Sequence, residues 1–255
     1  MSYTINIIGA GNVAWHLCNA LSITGHKVQQ VYSRTFANSQ KLANTFGIEA
    51  IDVLYDLKKA DIILLAVNDD QIDEVSNQLN IEEGTVVLHT SGTVSIEILN
   101  KHKNYGVLWM IETLTAEKTI PYDGIAIITY YNNDISKETV YELAKDISTN
   151  VHVLADSERQ KMHLAAVMAN NFTNHLYTRL EEWTSNNKLN FDLLKPIIKT
   201  TVNQILQHSP ATLQTGPAVR NDIETMHKHK EMLASFPDTK ALYELMSASI
   251  KGYHS

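Results

Sequence analysis

The sequence contains very little cysteine and no long apolar run, and both absences narrow what kind of protein it encodes. Cys18 is the single cysteine among 255 residues, so an internal disulfide framework is excluded and a reducing compartment is favoured. No apolar run approaches the roughly 20 residues that cross a bilayer. The run Ile5–Ile8 is too short for a signal peptide and leads into a glycine turn. We therefore expect a cytoplasmic protein with no membrane association.

Basic residues are also in deficit, with 21 Lys and Arg against 28 Asp and Glu and a formal net charge of -7. Nucleic-acid binding needs a clustered basic face. The longest basic cluster, at residues 227–230, lies beside acidic residues and indicates a solvated helix face. We therefore expect no nucleic-acid partner, and no metal site is predicted. The apolar fraction of 44% is normal for a folded globular protein.

The first 155 residues alternate short β-branched runs with amphipathic helical patterns. The aliphatic run Asp61–Val67 is typical of a strand covered on both faces of a parallel sheet. The other strands are predicted at Tyr3–Ile8, Lys27–Tyr32, Thr85–His89, Gly106–Trp109, Gly124–Tyr130 and Asn150–Leu154. The helices are predicted at Asn12–Thr24, Thr35–Phe46, Asp70–Leu79 and Ser136–Ser148. This alternation predicts an α/β domain with a doubly wound parallel sheet.

The pattern changes at Asp156, after which apolar residues recur at helical spacing and no strand pattern appears. Further helices are predicted at Phe191–Gln207, Asn221–Ser235 and Thr239–Lys251. We therefore predict an α/β domain over residues 1–155 and an all-α domain over residues 156–255. Aromatic residues in the helical half favour two-fold helix packing and hence a homodimer; they include Phe172, Trp183 and Phe191.

Residues 9–14 fit the pattern G-x-G-x-x-(G/A) and lie between a predicted strand and a predicted helix. Gly9 permits the tight turn, Gly11 lets the backbone approach a pyrophosphate, and Ala14 keeps the helix close to the sheet. The helix N-terminus offers unpaired N–H groups to the anion. The alternative is an ordinary strand–turn–helix corner. The context favours a dinucleotide site whose residues include Gly9, Ala10, Gly11, Asn12 and Val13.

The end of the second predicted strand distinguishes between the two nicotinamide cofactors. A site for NAD usually places Asp or Glu there to hold the ribose 2′-hydroxyl. Here Ser33 and Arg34 follow the strand, and no carboxylate is present. A guanidinium suits a 2′-phosphate, although Arg34 could instead be a plain surface residue. The sequence therefore favours NADP(H) over NAD(H), and it argues against an S-adenosylmethionine methyltransferase.

Polar residues also follow two other predicted strands, where ligands of open α/β sheets collect. Asn68 follows the aliphatic strand, and Thr90 and Ser91 follow the next one. These side chains could cap local structure or contact the cofactor. We expect Asn68 to bind the cofactor and Ser91 to lie at its nicotinamide end.

The long helix that begins at Asp156 carries the candidate catalytic residues. Asn170 lies about two turns after His163 on the same α-helical face, and Asn171 is displaced by roughly a quarter turn. A histidine can donate a proton near neutral pH, although a structural histidine is the alternative. Arg220, near Asp222, indicates either a helix-start turn with a local ion pair or an anion-binding corner.

With these motifs, the chain resembles the Rossmann-like NADP oxidoreductase family with a DUF2520-type C-terminal domain, loosely called F420-dependent NADP oxidoreductase-like. The similarity covers nearly the whole chain and runs through residues 9–12, 32–34, 89–92, 163–167, 171–172, 215–217, 220, 222, 225 and 229. The resemblance implies a Rossmann domain followed by a helical dimerisation domain like those of 6-phosphogluconate dehydrogenase, ketopantoate reductase and pyrroline-5-carboxylate reductase. It also implies an active cleft between the two domains.

The chain departs from that family pattern at several positions. Trp109-Met110 stands where many members have a His-Pro pair, and Asn221 replaces a glycine. Val167 stands four residues before Asn171, where many β-hydroxyacid dehydrogenases have a lysine, so their mechanism does not transfer.

Two functions are consistent with these residues. The first is an NADP(H)-dependent oxidoreductase that acts on a small carbonyl or imine compound. In it His163, with Asn170 and Asn171, orients or protonates the substrate, Ser91 positions the nicotinamide, and Arg220 binds an anionic group. The second is a non-catalytic NADP(H)-binding sensor or interaction module, which the departures at Trp109 and Val167 favour.

Overall fold

The structure is a computed structural model in which residues 2–254 are described. The chain forms two compact units that divide between Val167 and Met168. The first contains a sheet with its helices, and the second is helical. The helix Asp156–Ala166, at which the sequence pattern changes, is part of the first unit.

An eight-stranded sheet forms the centre of the first unit. Its strands are β1 (Thr4–Ile8), β2 (Lys27–Tyr32), β3 (Glu49–Ile51), β4 (Ile62–Leu65), β5 (Val86–His89), β6 (Asn104–Met110), β7 (Ile127–Tyr131) and β8 (Val151–Val153). They lie in the order β3-β2-β1-β4-β5-β6-β7-β8. The first six strands have the order of a dinucleotide-binding doubly wound sheet, which confirms the predicted fold class.

Helices cover both faces of this sheet. They are α1 (Asn12–Ile23), α2 (Phe36–Phe46), α3 (Ile72–Gln78), α4 (Asp134–Ile147) and α5 (Asp156–Ala166). Ile62 and Leu64 of β4 pack in one apolar cluster with α1, α2 and α4. Ile63 and Leu65 pack in a second cluster with α3. Because alternate residues of β4 enter opposite clusters, the strand needs an apolar side chain at every position.

Two features of the sheet differ from the sequence-based prediction. β3 was not expected, because its three residues are too few to show a period-two pattern. β7 was expected to be parallel, but it runs antiparallel to β6. A parallel connection needs a crossover, usually a helix, and residues 111–126 form none. The segment therefore returns along β6 in the opposite direction.

Among its described residues, 168–254, the second unit contains no strand, and its main elements are five α-helices. They are α6 (Thr173–Asn186), α7 (Lys195–Ile205), α8 (Pro210–Leu213), α9 (Ile223–Met232) and α10 (Pro237–His254). A π-helical segment, Val167–Phe172, joins α5 to α6. Pro196 in the first turn of α7 fits its start at Lys195, several residues later than expected. Within residues 2–254, no helix is both long and apolar enough to span a bilayer.

Candidate functional site

The candidate site begins where β1 and β4 end, side by side at the carboxyl edge of the sheet. β1 pairs with β2 on one side and with β4 on the other, so the order of connection reverses between β1 and β4. Open α/β sheets bind their ligands at such a switch point, because the connections that follow the two strands leave in opposite directions. Gly9 follows β1, and Ala66 follows β4.

The turn after β1 requires glycine at its first position. Gly9 has a φ of +121°, a backbone conformation that residues with a side chain rarely adopt. Its N–H donates to the carbonyl oxygen of Tyr32 at 2.7 Å. A Cβ atom on Gly9 would lie 2.1 Å from the carbonyl oxygen of Ala66. Gly9 therefore allows the turn to pack directly against the end of β4.

The second glycine of the motif leaves the start of α1 open. Gly11 is the N-cap residue, and no side chain caps the helix. A Cβ atom on Gly11 would meet nothing within 4 Å. The backbone N–H groups of the first turn, unpaired within a helix, are therefore accessible to an anion.

One pocket of about 160 Å³ brings together most of the predicted cofactor residues. Its lining includes Gly9, Ala10, Gly11, Ser33, Arg34 and Asn68. Gln71, which sequence reasoning missed, also lines it. Gln71 lies three residues past Asn68, beyond the end of the same strand, and that proximity is its signal in the sequence. Among the described residues that line this pocket there is no Asp or Glu, and Arg34 is the one charged side chain. These residues fit a phosphorylated dinucleotide.

A second pocket, of about 250 Å³, lies at the continuation of the glycine turn. Asn12 and Val13, both predicted to bind cofactor, line this pocket rather than the first. Thr90, at the end of β5, lines it as well. The rest of the lining is Leu108, Trp109, Met110, Glu112 and Leu114. Glu112 was not predicted, although it follows β6, which is parallel to β5 and ends at the same edge.

The loop after β5 is held by its own hydrogen bonds. The Ser91 hydroxyl oxygen accepts from the backbone N–H groups of Thr93 at 3.1 Å and Val94 at 3.0 Å. This is the local capping role that the sequence left open for Ser91. Its side chain is buried and lines neither pocket, so its contact with a nicotinamide stays a prediction.

His163 of α5 packs against the Trp109 ring, with 5.6 Å between the ring centroids. Gly92 provides the space for this contact. A Cβ atom at position 92 would lie 2.5 Å from Cδ2 of His163 and 2.8 Å from Cε2 of Trp109. Among residues 2–254, the structure shows no hydrogen bond to a ring nitrogen of His163. His163 is half-buried and lines neither of the two pockets.

A buried polar cluster fixes α5 to the loop after β5. Arg159 is fully buried, lies 2.9 Å from the Asp156 carboxylate, and donates to the Val94 carbonyl oxygen. Gln160 donates to the Thr93 carbonyl oxygen at 2.8 Å. Burial, and then the Arg159 charge, lower the pKa of His89 to about 3. His89 is therefore neutral, and its Nδ1 accepts from the Ser91 N–H at 3.1 Å.

Comparisons with known proteins agree with this architecture. The model of a Rossmann-like domain matches residues 2–111, and the model "Domain of unknown function (DUF2520)" matches residues 127–250. A solved structure of BF3122 from Bacteroides fragilis, provisionally named an NADP oxidoreductase, is 30% identical, covers 98% of each chain and has a TM-score of 0.90. This chain belongs to the Rossmann-like family that carries a DUF2520 domain.

Two further solved structures share the fold of this DUF2520 protein. TM1727 from Thermotoga maritima is 21% identical, with 98% of each chain covered and a TM-score of 0.75. A reductive aminase from Aspergillus terreus, solved with NADPH and ethyl-5-oxohexanoate, is 12% identical. That match covers 100% of this chain and 97% of the aminase, with a TM-score of 0.68. No match was found among the curated proteins.

The remaining predicted residues of this DUF2520 protein lie in its second unit. Asn170 and Asn171 are in the π-helical segment, where each turn is wider than an α-helical turn. The face assignment from α-helical spacing therefore does not apply to them. The Asp222 carboxylate caps α9 by accepting from the Thr225 N–H at 3.0 Å. This is the helix-start turn that the sequence offered as one alternative for the segment around Arg220. The bond from the Thr225 N–H is the main cause of the lowered pKa of Asp222. Arg220 is exposed in the preceding turn.

Proposed function

We propose that the protein is an NADP(H)-dependent oxidoreductase that acts on a small carbonyl or imine compound. The observation that carries this proposal is the first pocket, where Ser33 and Arg34 lie with the glycine turn and no carboxylate lines the wall. A guanidinium there offers charge-assisted hydrogen bonds to a 2′-phosphate, which NAD lacks. The provisional name of BF3122 and the NADPH in the Aspergillus aminase structure support the same cofactor.

The proposed division of labour follows from residue chemistry. When bound, NADPH supplies the hydride. Gly9–Val13, Ser33, Arg34 and Asn68 hold the cofactor, and Ser91 orients its nicotinamide end. His163, with Asn170 and Asn171, orients the substrate or exchanges a proton with it, since a histidine serves as acid or base near neutral pH. Arg220 binds an anionic group of the substrate, in a cleft between domains 1–155 and 156–255.

The cofactor proposal is tested by Arg34→Asp. This change should weaken NADPH binding by about 1.5–3 kcal/mol, the scale of a hydrogen bond to a charged group, and should affect NADH far less. Titration of cofactor fluorescence gives both dissociation constants.

Lys137→Asp is the control, because it makes the same charge change on an exposed residue of α4. α4 follows the end of antiparallel β7 and so starts at the opposite edge of the sheet. Equal losses for NADPH and NADH would contradict a role for Arg34 in reading the 2′-phosphate.

We also propose a homodimer, as expected from sequence, formed by the helical half. Among residues 168–254 the buried hydrophobic side chains are only Ala218 and Leu233. Large apolar side chains of the second unit are exposed instead, including Phe172, Leu193, Ile197, Val202, Ile205, Leu206 and Met246. An apolar groove of about 400 Å³ in the same unit includes Leu176, Trp183 and Met246. A group of exposed apolar side chains together with an apolar groove is characteristic of a partner interface.

The apolar face of α7 gives the dimer its test. Ile197 is 63% exposed in the single chain, and the proposed dimer buries it. Ile197→Asp should convert the dimer to a monomer, because it would place an unpaired charge in the interface. Position 197 is in the first turn of α7, where an acidic residue is favourable, so the change should leave the helix itself intact. The matched control is Asn203→Asp, which makes the same charge change about 120° around α7 from Ile197. Light scattering should give twice the 28.6 kDa chain mass for wild type and control. A wild-type mass near 28.6 kDa at micromolar concentration would reject the dimer.

The cytoplasm remains the proposed location. Cys18 is a free, buried thiol, and burial raises its pKa to about 12. A protonated, inaccessible thiol is inert and fits a structural role in a reducing compartment.

A further inference from the structure

The second pocket differs from the first in the sign of its charge. Among the residues that line it, Glu112 is the one charged side chain, and Trp109, Met110 and Leu114 supply apolar surface. We propose that this pocket binds a positively charged nitrogen of the substrate, an iminium or ammonium group that carries an apolar, ring-sized substituent. The inference rests on the proposed function, because it takes this pocket as the substrate end of the cofactor site.

The position of the pocket supports that assignment. Asn12 and Val13 continue directly from the glycine turn, whose residues line the first pocket. Thr90 adds the end of β5, which lies beside β4 in the sheet. A ligand in the second pocket therefore lies at the same sheet edge as the cofactor residues. His163, the proposed proton-exchange residue, packs on Trp109, which lines this pocket.

The carboxylate of Glu112 is free to accept a cationic partner. One of its oxygens accepts from the Thr113 N–H at 2.7 Å, which uses a single acceptor position. Glu117 in the same loop is paired with Lys41 at 2.7 Å. Among residues 2–254, Glu112 forms no such ion pair. Its charge is therefore uncompensated by the protein, and it repels a substrate carboxylate at this end.

The apolar wall determines what else the ligand carries. Trp109 and Met110 are almost fully buried and pack in opposite core clusters, so each is held in place where it lines the pocket. An indole ring attracts a cation placed over its face and packs against flat apolar groups. A carboxylate and an indole in the lining of one pocket therefore favour a cationic nitrogen attached to a ring over a neutral carbonyl compound of the same shape.

Two ligands of equal shape and different charge test this preference. Tetrahydroisoquinolinium carries the charged nitrogen, and isochroman replaces it with a neutral ether oxygen. Calorimetric titration of the full chain, with and without NADP⁺, should show clearly tighter binding of the ammonium. Glu112→Gln should weaken ammonium binding about tenfold or more and leave isochroman and NADP⁺ binding unchanged. Glu117→Gln, the same chemical change in the same loop, should leave all three unchanged.

Several results would overturn the inference. These are equal binding of the two ligands, no ammonium binding by the wild type at millimolar concentration, or an unaltered ammonium affinity in Glu112→Gln. Loss of NADP⁺ affinity in that variant would instead assign Glu112 to the cofactor. Failure of wild type to bind NADP(H) would contradict the proposed function, while the titrations without cofactor would still decide the role of Glu112.

Discussion

Alanine in place of Gly9 is expected to reduce NADPH affinity about 100-fold, or about 2.8 kcal/mol, and to lower the unfolding temperature. The new Cβ atom would lie 2.1 Å from the Ala66 carbonyl oxygen, so the turn or the end of β4 must move. Both segments line the first pocket, and their displacement removes the fit to a pyrophosphate. Cofactor fluorescence and thermal unfolding measure the two effects separately.

Gly25→Ala is the matched control for this variant. Gly25 also has a positive φ, +81°, but a Cβ atom there would meet nothing within 4 Å. The control therefore carries the conformational strain, about 1–3 kcal/mol, without the steric clash. It should lower stability and leave NADPH affinity intact. If Gly9→Ala bound NADPH as tightly as the control does, the turn after β1 would not be part of the cofactor site.

The second large effect is expected at His163. His163→Ala should reduce turnover by about 100-fold to 10,000-fold, the usual contribution of a general acid or base, while NADPH affinity stays nearly unchanged. Asn171→Ala should likewise abolish turnover or ligand binding with little effect on the cofactor. Oxidation of NADPH, followed with a panel of carbonyl and imine compounds, gives the rates. His175→Ala, at an exposed position of α6, is the control and should keep full activity.

The contact between His163 and Trp109 makes a structural role the main alternative. In that case His163→Ala would lower the unfolding temperature and spare turnover, because the variant would lose only packing against the indole. That outcome would remove His163 from the proposed catalytic group. A wild-type protein that binds NADPH tightly yet turns over no member of the panel would favour the non-catalytic sensor or interaction module.

The grouping of most candidate cofactor residues in one pocket could be predicted from sequence because local chemistry determines it. The turn after β1 needs glycine for backbone reasons, and Ser33 and Arg34 follow a strand whose bounds agree with the predicted ones. Glu112 and Gln71 were not predicted, because they lie two and six residues beyond the ends of β6 and β4 and belong to no local motif. The π-helical segment at Asn170 and Asn171 was missed because its wider turn has no signature in an apolar pattern read with α-helical spacing.

The direction of β7 could not be predicted from the residues of the strand itself. Its sequence is that of any buried strand, and only the helix-free connection before it indicates that the chain turns back. Tertiary contacts were equally hard to foresee. Nothing near Gly92 in the sequence indicates that His163, 71 positions later, would need the space of its missing side chain.

That shared space has a consequence for how relatives of this protein can diverge. Gly92, Trp109 and His163 come from a loop, a strand and a helix, and they divide one fixed volume among them. A larger residue at position 92 requires one of the two rings to shift or to be replaced by something smaller. Among relatives, we therefore expect a side chain at position 92 to be accompanied by a smaller residue at position 109 or 163.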